Sequence, residues 1–547
     1  MENIGFHEDL IHEFKSDRSC LSDGEIIDAV VAFANTDGGD LYLGVEDDGE
    51  ITGLHERHYD VTQLAAFIAN KTVPPVPVRT EVLNFTLPVL KISVPKRTAI
   101  VASSSGKIQR RRLKADGTPE NVPMYPYEIT TRLSSLRLLD FSAQPVPDST
   151  CDDLDPVERE RLRNIIRSYH GEVQLLDLSN EELDRALQFV TMQNGQLVPT
   201  LCGLLMIGKA PMIQSHVPTA EASIQVLSGT DIKVNESFHL PLLAAFDKIN
   251  STFTAWNSSE EMEVGLFRIS IPSYEPRAFR EALVNAFCHR DYSLLGRVRV
   301  SINEDFLEIS NPGGFIEGIC ADNLLDAEPH GRNPILADAM KRIGLAERTG
   351  RGIDRIFEGS LLFGRQLPDY SRSSTNNVDL LISKGPVDKA FVQMISEEQT
   401  RIGHSLPIYS LMILNALKSL NRASVNELAE FIHTNENRIR PIVESLLESG
   451  MVEASGTGRG RTYMLSSRYY KLTHRPYAYV RNHDIDSMRH EELVIKLAKH
   501  QGFISRSDVI ELLHVSPAQA YYILKKLVKG GRLQLLGKGA ASKYYPI

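Results

Sequence analysis

The sequence predicts a multidomain α+β protein, and three observations indicate this fold class. The chain has 547 residues, well beyond the roughly 250 residues at which single hydrophobic cores stop growing. Its apolar residues switch between helical spacing, as over residues 24–35, and strand-like alternation, as over residues 222–227. Residues 391–547 contain the same order of predicted elements twice. We therefore expect several cores joined by short connectors.

Charge is distributed unevenly along the chain. Residues 401–547 contain 21 Lys and Arg against 12 Asp and Glu, a net charge of +9, whereas the whole chain carries −10. The remaining residues therefore carry a net charge of −19. An acidic body with a basic tail is typical of a protein that meets nucleic acid at one end. A chance imbalance between solvated faces is the alternative interpretation.

The cysteines and the apolar runs exclude several classes of protein. The five cysteines stand singly without paired spacing, which argues against a disulfide framework or a zinc cluster. The N-terminus lacks the pattern of a signal peptide, and the longest apolar run, over residues 202–207, is far too short to span a bilayer. The sequence therefore predicts a cytoplasmic protein that has no membrane partner.

A helix with a carboxylate and an amide on one face is the leading site candidate. Glu281 and Asn285 are four residues apart and stack one turn from each other. An amide oxygen is a hard ligand that suits magnesium, and a nearby carboxylate can orient or deprotonate a water molecule. Taken alone, the two residues fit an ordinary helix face equally well. Two later blocks, Asn311-Pro312-Gly313-Gly314 and Gly350-Arg351-Gly352, favour a nucleotide site, because a glycine loop before a helix offers backbone amides to phosphate.

With these blocks in order, residues 266–365 resemble the GHKL ATPases, the superfamily of gyrase and the histidine kinases, and more closely the branch found in bacterial Schlafen-like regulators. The resemblance implies a Bergerat-type α/β sandwich that binds ATP and Mg²⁺, with Glu281 as general base and Asn285 as magnesium ligand. The other nucleotide contacts that it implies or suggests are Asn311, Gly313, Gly314, His289, Arg332, Gly350 and Gly352. A buried or ion-paired role is the alternative for His289 and Arg332. Asn311 stands where the superfamily usually has an Asp, so ATP hydrolysis, as distinct from ATP binding, stays open.

The N-terminal part is predicted to start with a helix over residues 8–15, followed by a helix over residues 24–35 and a hairpin over residues 41–53. The blocks Glu13-Phe14-Lys15, Ala32 to Gly39 and Gly44-Val45-Glu46-Asp47 resemble the Schlafen AlbA-type domain. Its nuclease members cleave RNA with a divalent metal held by three carboxylates. The resemblance therefore implies Glu8, Glu13 and Asp47 as catalytic, metal-binding residues for Mg²⁺ or Mn²⁺. The alternative is that the domain only holds nucleic acid or forms oligomers.

A basic run in the same part is a candidate for phosphate contacts. It contains Arg110, Arg111 and Arg112, and guanidinium groups bind phosphate in a bidentate manner. Ordinary surface charge is the alternative interpretation.

The C-terminal part is predicted to contain two winged helices, each with three helices and a hairpin. The third helices, near residues 435–443 and 516–527, would enter the major groove, and the wings would touch the DNA backbone or the minor groove. Protein contacts or dimerisation are the alternative uses of such folds. The candidate contacts are Arg438, Arg440, Arg459, Arg461, Gln519, Tyr522, Lys525, Lys538 and Lys543.

The sequence thus predicts five domains. They are an AlbA-type domain at 1–140, a connector at 141–265, an ATP-binding domain at 266–390, and winged helices at 391–480 and 481–547. The leading function is an ATP-binding, DNA-binding regulator that forms a homodimer or a higher homo-oligomer. The alternative is a Schlafen-like, divalent-metal-dependent ribonuclease gated by ATP, with tRNA as a candidate substrate and phage defence as a candidate role.

Overall fold

The structure, a computed structural model, describes residues 4–5, 7–114, 116–136, 138–264, 267–328, 330–347, 350–456, 461–473, 490–513, 515, 517–536 and 543–546. The chain folds into two compact units. The first contains Met1–Gln144, Asp291–Leu295 and Gly331–Ile335, and the second contains Pro145–Arg290, Gly296–His330 and Leu336–Ile547.

Within the described ranges, none of the helices combines the length and the apolar character needed to cross a membrane.

The first unit is built on a four-stranded sheet that is covered by a buried helix. The strands of this unit are β1 (His12–Lys15), β2 (Gly39–Leu43), β3 (Thr72–Val73), β4 (Arg79–Asn84), β5 (Pro88–Val94), β6 (Ala102–Ser103), β7 (Gln109–Leu113) and β8 (Pro119–Pro123). The helices of this unit are α1 (Asp23–Ala34), α2 (Val61–Lys71) and α3 (Pro126–Ser135). The sheet order is β1-β2-β5-β4, with β1 parallel to β2 and the other pairs antiparallel. Ile26, Val30 and Phe33 of α1 pack with Leu41 and Ile92 of the sheet.

The helix predicted over residues 8–15 is wrong, because His12–Lys15 form β1. This strand pairs in register with Asp40 to Leu43 of β2, and Phe14 is fully buried against Tyr42. Pairing with a central strand overrides the helical spacing of the isolated segment. The helix predicted over residues 24–35 is confirmed as α1, within one residue at each end.

The second unit contains a five-stranded mixed sheet. The strands of this unit before the C-terminal part are β9 (Val190–Gln193), β10 (Gln196–Pro199), β11 (Glu221–Ser228), β12 (Asp231–Phe238), β13 (Ser259–Val264), β14 (Phe267–Pro272), β15 (Arg297–Ile302), β16 (Phe306–Pro312) and β17 (Asn377–Ser383). The sheet order is β12-β11-β15-β16-β17, and only β11 and β15 are parallel. Two strands from the segment interpreted as a connector, β11 and β12, therefore belong to the same sheet as β16.

Among the described residues of this part, nine α-helices accompany these strands. They are α4 (Pro156–Ser168), α5 (Asn180–Ala186), α6 (Leu201–Ile207), α7 (Ala210–His216), α8 (Leu242–Trp256), α9 (Pro276–His289), α10 (Pro334–Arg342), α11 (Gly352–Leu361) and α12 (Lys389–Ile402). Of these, α8 packs against β11, and α9 packs against α11 and β16. Helix α4 begins with Pro156 in its first turn, and Asp155 is its N-cap.

The C-terminal part repeats one arrangement, three helices followed by an antiparallel hairpin. The first copy contains α13 (Ile408–Leu420), α14 (Val425–Ile432), α15 (Glu436–Glu448), β18 (Val452–Ser455) and β19 (Thr462–Leu465), and α16 (Ser467–Leu472) follows it. The second copy contains α17 (His490–Gln501), α18 (Arg506–Leu513), α19 (Pro517–Lys529), β20 (Leu533–Leu536) and β21 (Lys543–Pro546). Single bridges, Ala423 to Tyr463 and Ile504 to Tyr544, tie each hairpin to the segment before its second helix.

Candidate functional site

Helix α9 positions the leading site candidates of the second unit. Pro276 lies in its first turn, where its fixed φ favours a helix start. The apolar face buries Phe279, Leu283 and Phe287 almost completely. Glu281 and Asn285 lie one turn apart on this helix, as the sequence predicted.

Glu281 is buried without a close cationic partner among the contacts described. Its Oε2 lies 3.4 Å from the backbone N–H of Glu347, and the nearest guanidinium atom, Arg280 Nη2, lies 3.9 Å from Oε1. Burial raises the pKa of the Glu281 carboxyl group above its ordinary value, and the Glu347 N–H and Arg280 offset only part of this. A buried carboxylate that is poorly compensated is typical of functional sites.

Helix α11 begins directly beside this pair. Gly352 is its first residue, and a Cβ added there would lie 3.1 Å from Glu281 Oε2 and 3.9 Å from Asn285 Nδ2. A glycine therefore keeps open the space between α11 and these two side chains. Gly350 has a φ of +77°, which glycine adopts readily and other residues rarely adopt. The structure thus brings Glu281, Asn285 and Gly352 together, with Gly350 two residues before the helix.

The block at the end of β16 forms a tight loop against residues 374–377. Asn311 is buried, and its Nδ2 lies 3.2 Å from the Pro312 carbonyl oxygen. The backbone N–H groups of Gly313 and Gly314 donate to the carbonyls of Asn376 and Thr375, over 2.8 and 3.2 Å. A Cβ at Gly314 would lie only 2.5 Å from the Ser374 carbonyl oxygen, so the close approach requires glycine. The loop is preformed by backbone contacts, next to the strand on which α9 packs.

Two of the candidate phosphate contacts lie elsewhere. His289 is the last residue of α9, about 12 Å along the helix from Glu281 at 1.5 Å per residue. Arg332 belongs to the first unit, where it is buried and its Nη1 lies 3.4 Å from Asp291 Oδ2. Burial lowers the pKa of Arg332, and Asp291 offsets part of that effect. Thr131 Oγ1 also donates to Asp291, over 2.9 Å, so this network matches the ion-paired alternative for Arg332.

In the first unit, Glu8 and Glu13 line one cavity of about 220 Å³, together with Lys15, Arg111 and Asn121. Glu13 Oε2 accepts from Arg111 Nη1 over 2.6 Å, and its Oε1 lies 3.1 Å from Lys15 Nζ. The Asn121 amide donates to both oxygens, over 3.0 and 3.1 Å.

Glu8 has a different environment, because its Oε1 accepts from the Phe14 backbone N–H over 2.6 Å. Burial raises the pKa of the Glu8 carboxyl group. Asp47 is exposed in the turn after β2, and it does not line this cavity.

These residues do not fit a divalent metal in the arrangement seen. Both Glu13 oxygens already accept from cationic or amide donors, so a metal ion would have to displace them. Among the described residues, no group of three or more His, Cys, Asp or Glu side chains has the geometry to hold a metal ion. Glu13 therefore serves as the anchor of an internal ion-pair network.

Of the three candidate arginines, Arg111 belongs to the ion-pair network of Glu13. Its guanidinium is buried, donates to the carbonyls of Asp9 and His12, and lies 4.8 Å from the centre of the Phe33 ring. Its donors are thus already engaged, and a phosphate group would have to displace these partners. Arg110 pairs with Glu128, and Arg112 Nε donates to Glu120 over 2.8 Å at the surface.

In the first C-terminal copy, Arg438 of α15 pairs with Asp326 and lies 4.1 Å from the centre of the Tyr409 ring. Arg440 pairs with Glu436 over 3.3 Å on the same helix, and Arg461 pairs with Glu444 over 2.9 Å. Arg459 lies outside the described residues. No local sequence pattern indicates Asp326, because its partner is 112 residues away.

In the second copy, Tyr522 of α19 is 72% exposed, whereas Leu524 of the same helix is fully buried. Lys525 lies over the Tyr521 ring and Lys543 over the Phe503 ring, at 5.7 and 3.9 Å. Exposed basic and aromatic side chains thus lie on this copy. Lys538 and the side chain of Gln519 lie outside the described residues.

Three segments of the chain are similar to known protein families. Residues 8–117 match the Schlafen, AlbA_2 family, and residues 296–382 match a family described as the ATP-dependent DNA helicase recG C-terminal region. Residues 132–223 match a domain of unknown function, DUF8451. The chain is therefore similar to Schlafen AlbA_2 proteins over residues 8–117 and to a RecG-related ATPase-like family over residues 296–382, and each match covers less than half of the chain.

A solved structure resembles the chain over nearly its whole length. It is the crystal structure of the DIP2311 protein from Corynebacterium diphtheriae, with a TM-score of 0.50 and 18% identity, covering 98% of this chain and 95% of that chain. At this identity the likeness concerns the fold. No curated protein matches the chain.

Proposed function

We propose that this chain is a regulatory protein in which ATP, bound beside Glu281 and Asn285, controls DNA binding by the C-terminal region. The match of residues 296–382 to a RecG-related ATPase-like family supports nucleotide binding. One further observation carries the coupling, the ion pair between Asp326 and Arg438.

The residues beside Gly352 suit a magnesium nucleotide. Asn285 would offer an amide oxygen to the metal, and the first backbone N–H groups of α11 would donate to phosphate at the positive end of the helix dipole. Magnesium would supply charge neutralisation for the phosphates. Glu281 would accept a proton from, or orient, a water molecule, because its buried carboxylate has a raised proton affinity.

The two C-terminal copies contain the helices that we propose bind DNA. Three helices, a hairpin and a short bridging strand are the parts of a winged helix. We propose that α15 and α19 enter the major groove, with Arg440, Tyr522 and Lys525 as contacts. The net charge of +9 over residues 401–547 supports a polyanionic partner.

The coupling depends on a loop that runs from the Asn311 block to α10. Within this loop, Asp326 Oδ1 accepts from the Tyr409 hydroxyl over 2.8 Å and pairs with Arg438 of α15. In this arrangement a loop carboxylate neutralises a cation on the proposed recognition helix. A nucleotide that contacts the start of the loop would move Asp326 and release Arg438.

The free energy that nucleotide binding can supply exceeds the free energy of the ion pair between Asp326 and Arg438. A half-exposed ion pair contributes at most about 1 kcal/mol. Nucleotide at a hundred times its dissociation constant stabilises the state that binds it by about 2.7 kcal/mol. Nucleotide binding therefore supplies enough free energy to open this contact.

The test combines two titrations of the full chain. Calorimetry should show magnesium-dependent ATP binding that Asn285→Ala weakens by about 10-fold or more, about 1.4 kcal/mol, because the variant lacks the amide oxygen proposed to hold the metal. Asn250→Ala is the matched control, because Asn250 is also a half-buried helix residue. Fluorescence anisotropy with labelled duplex DNA should show tighter binding in ATP. Equal ATP affinity of both variants and the wild type would contradict the site, and DNA binding indifferent to ATP would contradict the coupling.

The second candidate is the metal-dependent ribonuclease, favoured by the presence of Glu8 and Glu13 in one cavity. It ranks lower because Glu13 is held by Arg111, Lys15 and Asn121. Incubation with RNA in Mg²⁺ or Mn²⁺ tests it. Cut ends that disappear in Glu8→Gln, whose amide oxygen can still accept from the Phe14 N–H, would favour the ribonuclease. Homo-oligomer formation stays a prediction.

A further inference from the structure

Tyr169, at the end of α4, presents its ring to a cation of α9. It is the C-cap residue of α4, and its backbone N–H donates to the Ile165 carbonyl over 2.9 Å. The guanidinium carbon of Arg280 lies 5.2 Å from the centre of the Tyr169 ring. The ring of Phe246 on α8 stands nearly perpendicular to the Tyr169 ring, with 6.1 Å between the centroids. Helices α8 and α9 therefore contact the same ring, one with an aromatic edge or face and the other with a cation.

The backbone around Tyr169 is held by the segment that follows α10. A Cβ added to Gly344 would lie 2.4 Å from the Tyr169 carbonyl oxygen, and one added to Gly171 would lie 2.7 Å from the Ile343 carbonyl oxygen. Gly344 also has a φ of +90°, which other residues rarely adopt. The two backbones approach as closely as glycine permits. The position of the Tyr169 ring is thus fixed by its surroundings.

Arg280 has no close anionic partner among the contacts described. Its Nη2 atom lies 3.9 Å from Glu281 Oε1, and its Nε atom is buried without a hydrogen-bond partner in the described part of the chain. Adjacent residues on a helix point about 100° apart, so helix geometry alone does not turn Arg280 towards Glu281. Burial raises the pKa of Tyr169, and Arg280 offsets part of this effect. The guanidinium is therefore held by the Tyr169 ring rather than by a hydrogen-bonded ion pair.

We propose that Tyr169 is a positioning residue of the nucleotide site, because its ring holds the Arg280 guanidinium away from Glu281 and keeps that carboxylate unpaired. A guanidinium is attracted both to the π face of a tyrosine and to a carboxylate. Without the ring, the buried carboxylate is the stronger remaining attraction, and the flexible Arg280 side chain closes the gap of 3.9 Å to a charge-assisted hydrogen bond.

An unpaired Glu281 can orient a water molecule, whereas a carboxylate that is paired with a guanidinium is less able to do so. This consequence rests on the proposed function, but the contact between Tyr169 and Arg280 does not. Tyr169 belongs to the segment interpreted as a connector. That segment therefore contributes a residue to the control of the site in addition to two strands of the sheet.

The experiment compares the effect of Glu281→Gln in the wild type and in Tyr169 variants of the full chain at pH 8, without nucleotide. Trp256, the only tryptophan of the chain, lies on α8, so its fluorescence follows the unfolding of the second unit. In the wild type, Glu281→Gln removes a poorly compensated charge and should raise the melting temperature by about 2 °C, as a small gain does in a large domain. In Tyr169→Ala, the same change removes an ion pair with Arg280 and should lower the melting temperature.

This reversal of sign separates positioning from packing. A ring that only fills space lowers the melting temperature by the same amount whether residue 281 is Glu or Gln, so the effect of Glu281→Gln would keep its sign. Adding Arg280→Gln to Tyr169→Ala should remove the reversal, because no guanidinium remains to pair with Glu281.

Two further variants separate the π face from its bulk. Tyr169→Leu keeps an apolar side chain without a π face, so it should reverse the sign as Ala does, and it replaces the alanine variant if that one does not fold. Tyr169→Phe keeps the π face and should behave like the wild type. Phe238→Ala is the matched control, since Phe238 on β12 also lies under a cation, Lys248 Nζ at 5.1 Å, in the same unit. Glu281→Gln should still raise the melting temperature of this variant.

An equal rise on Glu281→Gln in the wild type, Tyr169→Ala and Tyr169→Leu would overturn the proposal. A larger rise in the two Tyr169 variants would show that the ring holds the guanidinium towards Glu281, and would overturn it as well. So would a reversal of sign in Tyr169→Phe. Failure of the wild type to bind ATP would count against the proposed function alone, because the reversal of sign is measured without nucleotide.

Discussion

Glu13 in the first unit and Glu281 in the second are equally buried, each with 3% of its surface exposed, yet their surroundings differ. Glu13 lies within 3.1 Å of two cationic groups and one amide. Glu281 has one backbone N–H at 3.4 Å and a guanidinium at 3.9 Å. Burial costs a carboxylate several kcal/mol unless partners compensate it. The first carboxylate is compensated, and the second is compensated only in part.

This difference distinguishes a carboxylate that stabilises the fold from a carboxylate at a candidate functional site. A carboxylate with every oxygen engaged holds strands together, and it is poorly placed to take a proton or a new cation. A carboxylate left partly uncompensated destabilises the fold, and binding a proton or a cationic ligand relieves that cost. Burial alone therefore does not identify function, whereas burial together with missing partners does.

The largest expected effect is loss of stability in Glu13→Gln. Removing this charge leaves Arg111 buried without its counter-charge, which costs about 3–5 kcal/mol. Urea unfolding followed through the first unit, with limited proteolysis as a probe, should show the transition at markedly lower denaturant. A shift below about 1 kcal/mol, typical of exposed pairs, would mean that Glu13 is not the anchor described here.

The double variant Glu13→Leu with Arg111→Met sharpens the same point. Replacing both partners of a buried pair with apolar residues removes the unpaired charge, so we expect the double variant to be more stable than either single variant by about 3 kcal/mol or more. Unfolding curves of the three variants measure the coupling. Additive losses would show that the two side chains act independently.

The sequence identified the helix of Glu281 and Asn285 because its signal is local, with two polar residues four apart on a helix that has a long apolar face. The same kind of reasoning gave a helix for Glu13, which lies on β1. The ladder to β2 and the pairing with Arg111, 98 residues away, decide that segment, and no local pattern records them. The pairing of Arg438 with Asp326 could not be predicted from the sequence for the same reason. The repeated elements of the C-terminal part could be predicted because each copy has its own helix caps and apolar spacing.

Glu281→Gln should move stability in the opposite direction from Glu13→Gln. Because the folded-state pKa of Glu281 is raised above its ordinary value of 4.5, the stability linked to its protonated form is present below that value and lost as pH rises through the folded pKa. Gln is neutral at every pH, so the variant should be more stable than the wild type by about 1 kcal/mol near pH 8, as often found at functional sites. The gain should shrink as pH falls toward 4.5. Melting temperatures across this range provide the measurement, and a variant less stable at every pH would place Glu281 with Glu13 as an anchor.

The smallest effect is expected at Asp326, a carboxylate that is paired like Glu13 but 42% exposed in its side chain. Solvent weakens such a pair, so Asp326→Asn should release Arg438 for a gain in duplex affinity of at most about 5-fold. The gain should appear without ATP and vanish at saturating ATP, because nucleotide is proposed to open the same contact. Glu436→Gln is the matched control, since it frees Arg440 on the same helix and has no link to the loop. Anisotropy titrations with duplex DNA, with and without ATP, measure this gain. An equal gain in affinity under both conditions would mean that Asp326 only adds negative charge near the DNA. No gain under either condition would mean that the contact with Asp326 does not restrain Arg438.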